Sequence, residues 1–171
     1  MTDTTAHWAT QQDQSSGGAA AIRAMLSDDS AVQWIALSGC RICEAQFITH
    51  GGIDLARKVW TIPAQRTNAN RDHVVPITDA MAELLFAAAK LRPISADCVF
   101  VNKCSVLRGV RSADLQGVRT AFSVWAKSDG KFPPELIHAQ LGHRPSAVGA
   151  ANSRKSMMEA WATYLMGAEN V

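Results

Sequence analysis

The sequence predicts a mainly helical domain with a small antiparallel β-sheet, an α+β fold. Apolar residues recur at helical spacing through much of the chain, and two short β-branched segments between residues 58 and 77 flank a run of turn-forming residues. The chain has 171 residues, of which 47% are hydrophobic, and this composition suits one domain with a buried core.

The two ends of the chain differ in character. Residues 1–18 are rich in Thr, Gln, Ser and Gly, which predicts a flexible polar tail, and residues 19–171 are expected to form the domain. No run approaches the roughly 18 apolar residues of a membrane helix, and the polar start lacks the basic and apolar pattern of a signal peptide. We therefore expect a cytoplasmic protein that does not contact a membrane.

The first elements of the domain are predicted to be helical. The segment AAAIRAML (19–26) has helix-forming composition, and SDDS breaks it. Ser30 can cap a second helix, in which apolar residues fall at helical spacing. Gly39 ends or bends that helix, and RICEAQF (41–47) begins another turn.

A hairpin is predicted next, because the hydrophobic period changes from Ile53 onward. The segments KVWTIP (58–63) and DHVVPI (72–77) are rich in β-branched residues, and AQRTNANR between them suits a turn. We expect the two segments to pair as antiparallel strands.

One helix and a third short strand are predicted after the hairpin. Thr78 can cap the amphipathic segment DAMAELLFAAAKL (79–91), which Pro93 stops. The segment CVFV (98–101) has the composition of a strand.

The second half of the chain is predicted to be helical. In SADLQGVRTAFSVWAK (112–127) one apolar stripe runs along the helix, and PPELIHAQL (133–141) forms a short helix that begins with proline. SRKSMMEAWATYLM (153–166) closes the chain as a helix. The predicted packing residues are Leu115, Val118, Phe122 and Trp125 in the first of these helices and Met157, Met158, Trp161 and Leu165 in the last.

Charge leaves the class of partner open, since 17 Lys and Arg against 15 Asp and Glu give a net charge of only +2. Basic residues concentrate in two segments, however. They are Arg57, Lys58, Arg66 and Arg71 in the first and Lys103, Arg108, Arg111, Arg119, Lys127 and Lys131 in the second. These segments form either one anion-facing surface, if the fold joins them, or an ordinary solvated face.

The four cysteines give a weak signal for zinc. Cys40 and Cys43 have Cys-x-x-Cys spacing, but Cys98 and Cys104 do not, and the first pair lies in an apolar helical pattern. We expect reduced core cysteines and no metal site.

Several motifs occur in a recognisable order. SGCRICE (38–44) is followed by HGGID, VVPIT, GVRTAFSVWA, LGH and MMEAWATYL. In this order they closely resemble the catalytic domain of tyrosine recombinases, the phage integrase family, over about residues 22–166. The resemblance implies that family's fold, a DNA partner, and a role in DNA recombination and integration by mobile elements.

The resemblance also implies a chemistry, which is phosphoryl transfer on DNA. In that family two arginines hold the non-bridging oxygens of a phosphate, histidines assist proton transfer, a hairpin lysine protonates the leaving oxygen, and a tyrosine attacks. The covalent intermediate stores the bond energy, so no cofactor is needed. Arg41 and Arg119 match the two arginines, His143 the later histidine, and Glu44 the acidic residue after the first arginine.

Three family positions are substituted. Asn68 stands near the hairpin lysine, Gln116 replaces a histidine, and Asn152 occupies the expected place of the attacking tyrosine. Because asparagine cannot attack a phosphate, the resemblance implies a domain that binds DNA without cleaving it. Arg66 and Arg71 in the hairpin are further candidates for phosphate contact.

Two other functions stay open. In one, the protein is an active DNA breaking and rejoining enzyme that uses Tyr164, the only tyrosine in the chain. In the other, it is an interaction module derived from an integrase, which associates with an intact integrase or with copies of itself.

Overall fold

The computed structural model describes residue 22 and residues 30–45, 47–91, 97–100, 112–143 and 148–167. Ile22 is helical and buried. The predicted polar tail, the rest of the first predicted helix, and the basic residues Lys103, Arg108 and Arg111 lie outside the described residues.

Helices make up most of the described chain, in agreement with the predicted fold class. They are α1 (Ser30–Ser38), α2 (Ile42–Ala45), α3 (Asp79–Leu91), α4 (Ser112–Ser128), α5 (Pro134–Gln140) and α6 (Val148–Met166). Short 3₁₀ turns lie at His50–Gly52 and Ala64–Arg66.

The helix ends have local causes that the sequence predicts. Gly39 ends α1 with a φ of 62°, a left-handed conformation that glycine adopts without a steric penalty. The backbone N–H of Met81 donates to Thr78 Oγ1 at 3.2 Å, so Thr78 caps α3 as predicted. Helix α6 begins at Val148, before the predicted segment, and therefore includes Asn152.

The predicted hairpin is confirmed. Strands β1 (Ile53–Asp54), β2 (Val59–Ile62) and β3 (His73–Pro76) form an antiparallel sheet in the order β1-β2-β3. Val59 lies opposite Pro76, and Ile62 lies opposite His73.

The prediction of a strand at CVFV is wrong for its described residues. Cys98 makes a single bridge with Thr49, and the third strand of the sheet is β1. A short turn places β1 directly beside β2, so β1 rather than the distant segment supplies the third strand of the ladder.

Helix α1 lies at the centre of the core and packs against α3, α4 and α6. It is apolar nearly all round, as expected of a helix that other elements surround. The predicted packing residues of α4 and α6 are all buried, and the indole N–H of Trp161 donates to the carbonyl of Ala36 at 3.0 Å. This packing holds α4 and α6 against α1.

Within the described ranges, no helix combines the length and the apolar character that crossing a membrane requires.

Candidate functional site

Arg41 lies between α1 and α2 and is held by Glu44. Its backbone N–H donates to Glu44 Oε2 at 3.0 Å, and its Nη1 donates to Glu44 Oε1 at 3.2 Å. The Glu44 side chain is buried, whereas the Arg41 side chain keeps 26% of its surface exposed. The carboxylate therefore fixes the start of α2 and orients a guanidinium that solvent can still reach.

Arg119 is buried on α4 and joins two loops. Its Nη1 donates to the carbonyl of Gly39 at 2.8 Å, and its Nη2 donates to the carbonyl of Leu141 at 2.5 Å. Burial lowers the pKa of its guanidinium, and the positive charge of Arg41 lowers it further. Because Gly39 precedes Arg41 and Leu141 precedes His143, Arg119 brings the two segments together.

His143 lies in the turn after α5. Gly142 has a φ of 69°, and the backbone N–H of His143 donates to the carbonyl of His138 at 2.9 Å. The Nδ1 atoms of the two histidines are 3.4 Å apart. Burial lowers the pKa of His143, and the charges of Arg119 and Arg41 add to the effect, which favours a neutral ring.

The two hairpin arginines lie in different places. Arg71 Nη2 donates to the carbonyl of His143 at 3.1 Å, which fastens the β2–β3 turn to the histidine turn. Arg66 Nη2 donates to the carbonyl of Glu44 at 2.9 Å, and its guanidinium lies over the ring of Phe47. Arg71 therefore belongs to the cluster, while Arg66 supports the end of α2.

A small open cleft lies where these segments meet. The β2–β3 turn, the Arg41 segment and the Gly142 turn form its walls. Its lining residues are Arg41, Glu44, Thr67, Ala69, Arg71, Asp72, His73 and Gly142. The lining thus carries two guanidiniums, which suit an anion, and two carboxylates, of which Glu44 pairs with Arg41.

The substituted positions lie outside this cleft. Asn68 is exposed in the β2–β3 turn, and Gln116 is exposed on α4 one turn before Arg119. Asn152 is exposed on α6, whereas Arg154 is fully buried. Residues two apart on a helix point about 200° from each other, so Asn152 faces away from the side chains that Arg154 contacts.

Tyr164 packs in the core instead of approaching the cleft. Its ring centroid lies 5.5 Å from those of Trp125 and Trp161. It also lies about 15 Å along α6 from Arg154, since a helix rises about 1.5 Å per residue. In this structure the tyrosine is a packing residue.

Sequence reasoning missed three buried polar residues beside the cluster. Arg154 donates to Gln140 Oε1 at 2.8 Å and to the carbonyl of Val74 at 2.5 Å, and Gln140 Nε2 donates to the carbonyl of Ser38 at 2.8 Å. The third residue is His73, which is only 5% exposed.

A signal for Arg154 was present in the helical period. It precedes Met157 and Met158 by three and four residues, and this spacing extends the buried stripe of α6. His73 begins a strand whose residues are all buried, and no local pattern marks that burial in advance.

The cysteines form no cluster in the described structure. Cys40 is buried, and burial raises the pKa of its thiol to about 12, whereas Cys43 is exposed. Among the described residues, no group of three or more His, Cys, Asp or Glu side chains converges as metal ligands would. Cys104 lies outside them.

Two curated sequences from Escherichia coli K12 are similar to the chain. Prophage integrase IntA is 29% identical over 162 residues, which cover 80% of this chain and 38% of the relative. Prophage integrase IntZ is 28% identical over 155 residues, which cover 78% and 38%. The chain thus spans 38% of the length of these relatives. No family model matches it.

A solved structure shares the fold. The crystal structure of XerA recombinase superposes with a TM-score of 0.53 at 15% identity, covering 90% of this chain and 62% of that one. At this identity the likeness shows the fold alone. The chain is thus similar in sequence to prophage integrases and shares its fold with XerA recombinase, which confirms the predicted resemblance to tyrosine recombinases of the phage integrase type.

Proposed function

We propose that this chain binds the phosphate backbone of DNA at the cleft beside Arg41, as a recombinase-type domain in site-specific DNA recombination that does not itself cleave DNA. The observation that carries the proposal is the pair of hydrogen bonds from Arg119 to Gly39 and Leu141. These bonds bring the segments that carry Arg41 and His143 to one place. Three groups that match the family motif by sequence alone thereby become neighbours.

The accessible and buried arginines have different roles in this proposal. Arg41 and Arg71 line the cleft, so their planar guanidiniums are the groups that contact phosphate oxygens. Arg119 is buried outside the lining of the cleft and contributes positive charge and rigidity. Hydrogen bonds to charged groups contribute about 1.5–3 kcal/mol each, which suits weak, salt-dependent binding near the 10⁻⁴ to 10⁻⁶ M typical of non-specific DNA contacts.

Two positions support the absence of cleavage. The amide of Asn152 is no nucleophile, and its side chain is exposed on α6 outside the lining of the cleft. Tyr164 supplies a hydroxyl but packs against Trp125 and Trp161 far along α6. Loss of a covalent nucleophile typically slows an enzyme on the order of a millionfold, so no turnover is expected.

The DNA-binding part of the proposal is tested by titrating a labelled DNA duplex across a range of salt concentrations. We expect Arg41→Ala to weaken binding about tenfold and to reduce the salt slope by about 0.9, which corresponds to one phosphate contact. The matched control is Arg57→Ala, which removes the same charge from an exposed site at the opposite end of β2. We expect less than a twofold change for this control.

An unchanged affinity in the double variant Arg41→Ala, Arg119→Ala, with folding verified by circular dichroism, would contradict DNA binding at this site. That result would favour the interaction module that associates with an intact integrase or with itself.

The cleavage part is tested with a nicked suicide duplex that traps covalent protein–DNA adducts. We expect no adduct even at high protein concentration. An adduct that disappears in Tyr164→Phe would show instead that the protein is an active recombinase.

A further inference from the structure

His73 is a buried polar residue that opens onto the same cleft. It begins β3, is 5% exposed, and lines the cleft together with Arg41 and Arg71. Its ring hydrogen-bonds to the backbone of Gln140, which fixes the orientation of the imidazole. An imidazole held in this way among guanidiniums occupies a place where an anion would be stabilised.

Gly142 leaves space for one further atom beside His73 and Arg41. A Cβ atom at this position would lie 3.7 Å from His73 Nδ1 and 3.8 Å from Arg41 Nη1. The absent side chain therefore leaves both nitrogens beside one small space at the wall of the cleft. An atom placed at this point would contact both His73 Nδ1 and Arg41 Nη1.

We propose that His73 is a further phosphate-binding residue, which donates a hydrogen bond to the bound phosphate and takes up one proton from solvent as it does so. This inference rests on the proposed function, since it deepens the same site. One ring nitrogen already donates to the carbonyl of Gln140, so the second has no hydrogen while the ring is neutral. It becomes a donor only when the imidazolium forms.

The surroundings explain why the proton arrives with the phosphate. Burial and, after it, the charges of Arg154, Arg119 and Arg41 together lower the pKa of His73 to about 4, against the opposing effect of the Gln140 hydrogen bond. The unliganded ring is therefore neutral near pH 7. A bound phosphate places negative charge beside these cations and stabilises the imidazolium.

Other charged groups face the same cleft and are part of its electrostatics. Arg71 adds positive charge from the β2–β3 turn, while Glu44 and Asp72 contribute carboxylates. The Glu44 carboxylate already pairs with Arg41, and Asp72 Oδ1 accepts a hydrogen bond from the Ala64 backbone N–H. Both carboxylates thus have partners inside the protein.

The direct test is an NMR titration of the histidine rings of the full chain, with and without inorganic phosphate. The His73 signal is assigned by its loss in His73→Gln. We expect saturating phosphate to raise the pKa of His73 by about one unit or more, equivalent to at least a tenfold preference of phosphate for the protonated ring. An unchanged pKa of His73 in the wild-type protein would overturn the inference.

The second test compares DNA duplex affinity near pH 6 and near pH 8. We expect His73→Gln to weaken binding about tenfold at the lower pH and much less at the higher pH, because glutamine cannot gain the proton. The matched control His50→Gln changes an exposed histidine in the 3₁₀ turn before β1 and should keep the wild-type pH dependence.

The two proposals fail in different ways. If affinity depends on Arg41 but His73→Gln keeps the wild-type pH dependence, the His73 inference is wrong and the proposed function stands. If the wild-type protein binds neither the duplex nor inorganic phosphate, both are wrong.

Discussion

Acidification should destabilise this protein through His73, independently of any ligand. Burial and three neighbouring arginines hold the pKa of His73 at about 4 in the folded chain, against an ordinary value of about 6.5. Between these values the unfolded chain binds more protons than the folded chain, so stability falls as the pH falls. Above about pH 6.5 both states carry a neutral ring, and this contribution is fully present.

The size of the effect follows from the shift. A difference of about 2.5 pKa units at 1.36 kcal/mol per unit corresponds to roughly 3 kcal/mol, lost between about pH 6.5 and pH 4. This is a large share of the 5–15 kcal/mol by which domains are typically stable. His73→Gln removes the titrating ring and should flatten this part of the stability profile.

Urea unfolding at a series of pH values measures the effect. We expect the free energies of unfolding of wild type and His73→Gln to converge as the pH falls, while the exposed-site control His50→Gln stays parallel to wild type. Parallel profiles for wild type and His73→Gln would refute the reasoning, because they would mean that the ring has the same pKa in both states.

Two further substitutions test the turn and the buried network around the cluster. Gly142→Ala places a side chain on a backbone with a φ of 69°. We expect the free energy of unfolding, measured in urea, to fall by about 1 kcal/mol and duplex binding to weaken. Unchanged binding would mean that the Gly142 turn does not contact phosphate. Gln140→Leu removes a hydrogen-bond acceptor from the buried Arg154 and a donor from the Ser38 carbonyl. We expect the free energy of unfolding to fall by about 2–4 kcal/mol. A stability equal to that of the wild type would show that these hydrogen bonds make no net contribution to stability.

Local patterns were sufficient for most elements. The β-branched segments on either side of a polar turn predicted β2 and β3, and the hydroxyl before an amphipathic run predicted the cap at Thr78. These features depend on residues close together in sequence, where backbone sterics, caps and hydrophobic period act directly.

Non-local pairing explains the errors. The segment CVFV has strand composition, yet β1 occupies the position beside β2, and composition cannot choose between two candidates for one sheet edge. The start of α6 at Val148 was also missed, because small residues such as those at 147–151 are compatible with either a loop or a helix.

The sequence by itself determined which residues are candidates for phosphate binding, since Arg41, Arg119 and His143 stand in ordered motifs. Only the tertiary structure decided how they meet, because Arg119 joins two loops through backbone carbonyls. It also placed His73 in the cleft. The physical reason is that burial and the partners of a polar group depend on elements far apart in the chain, which no local period encodes.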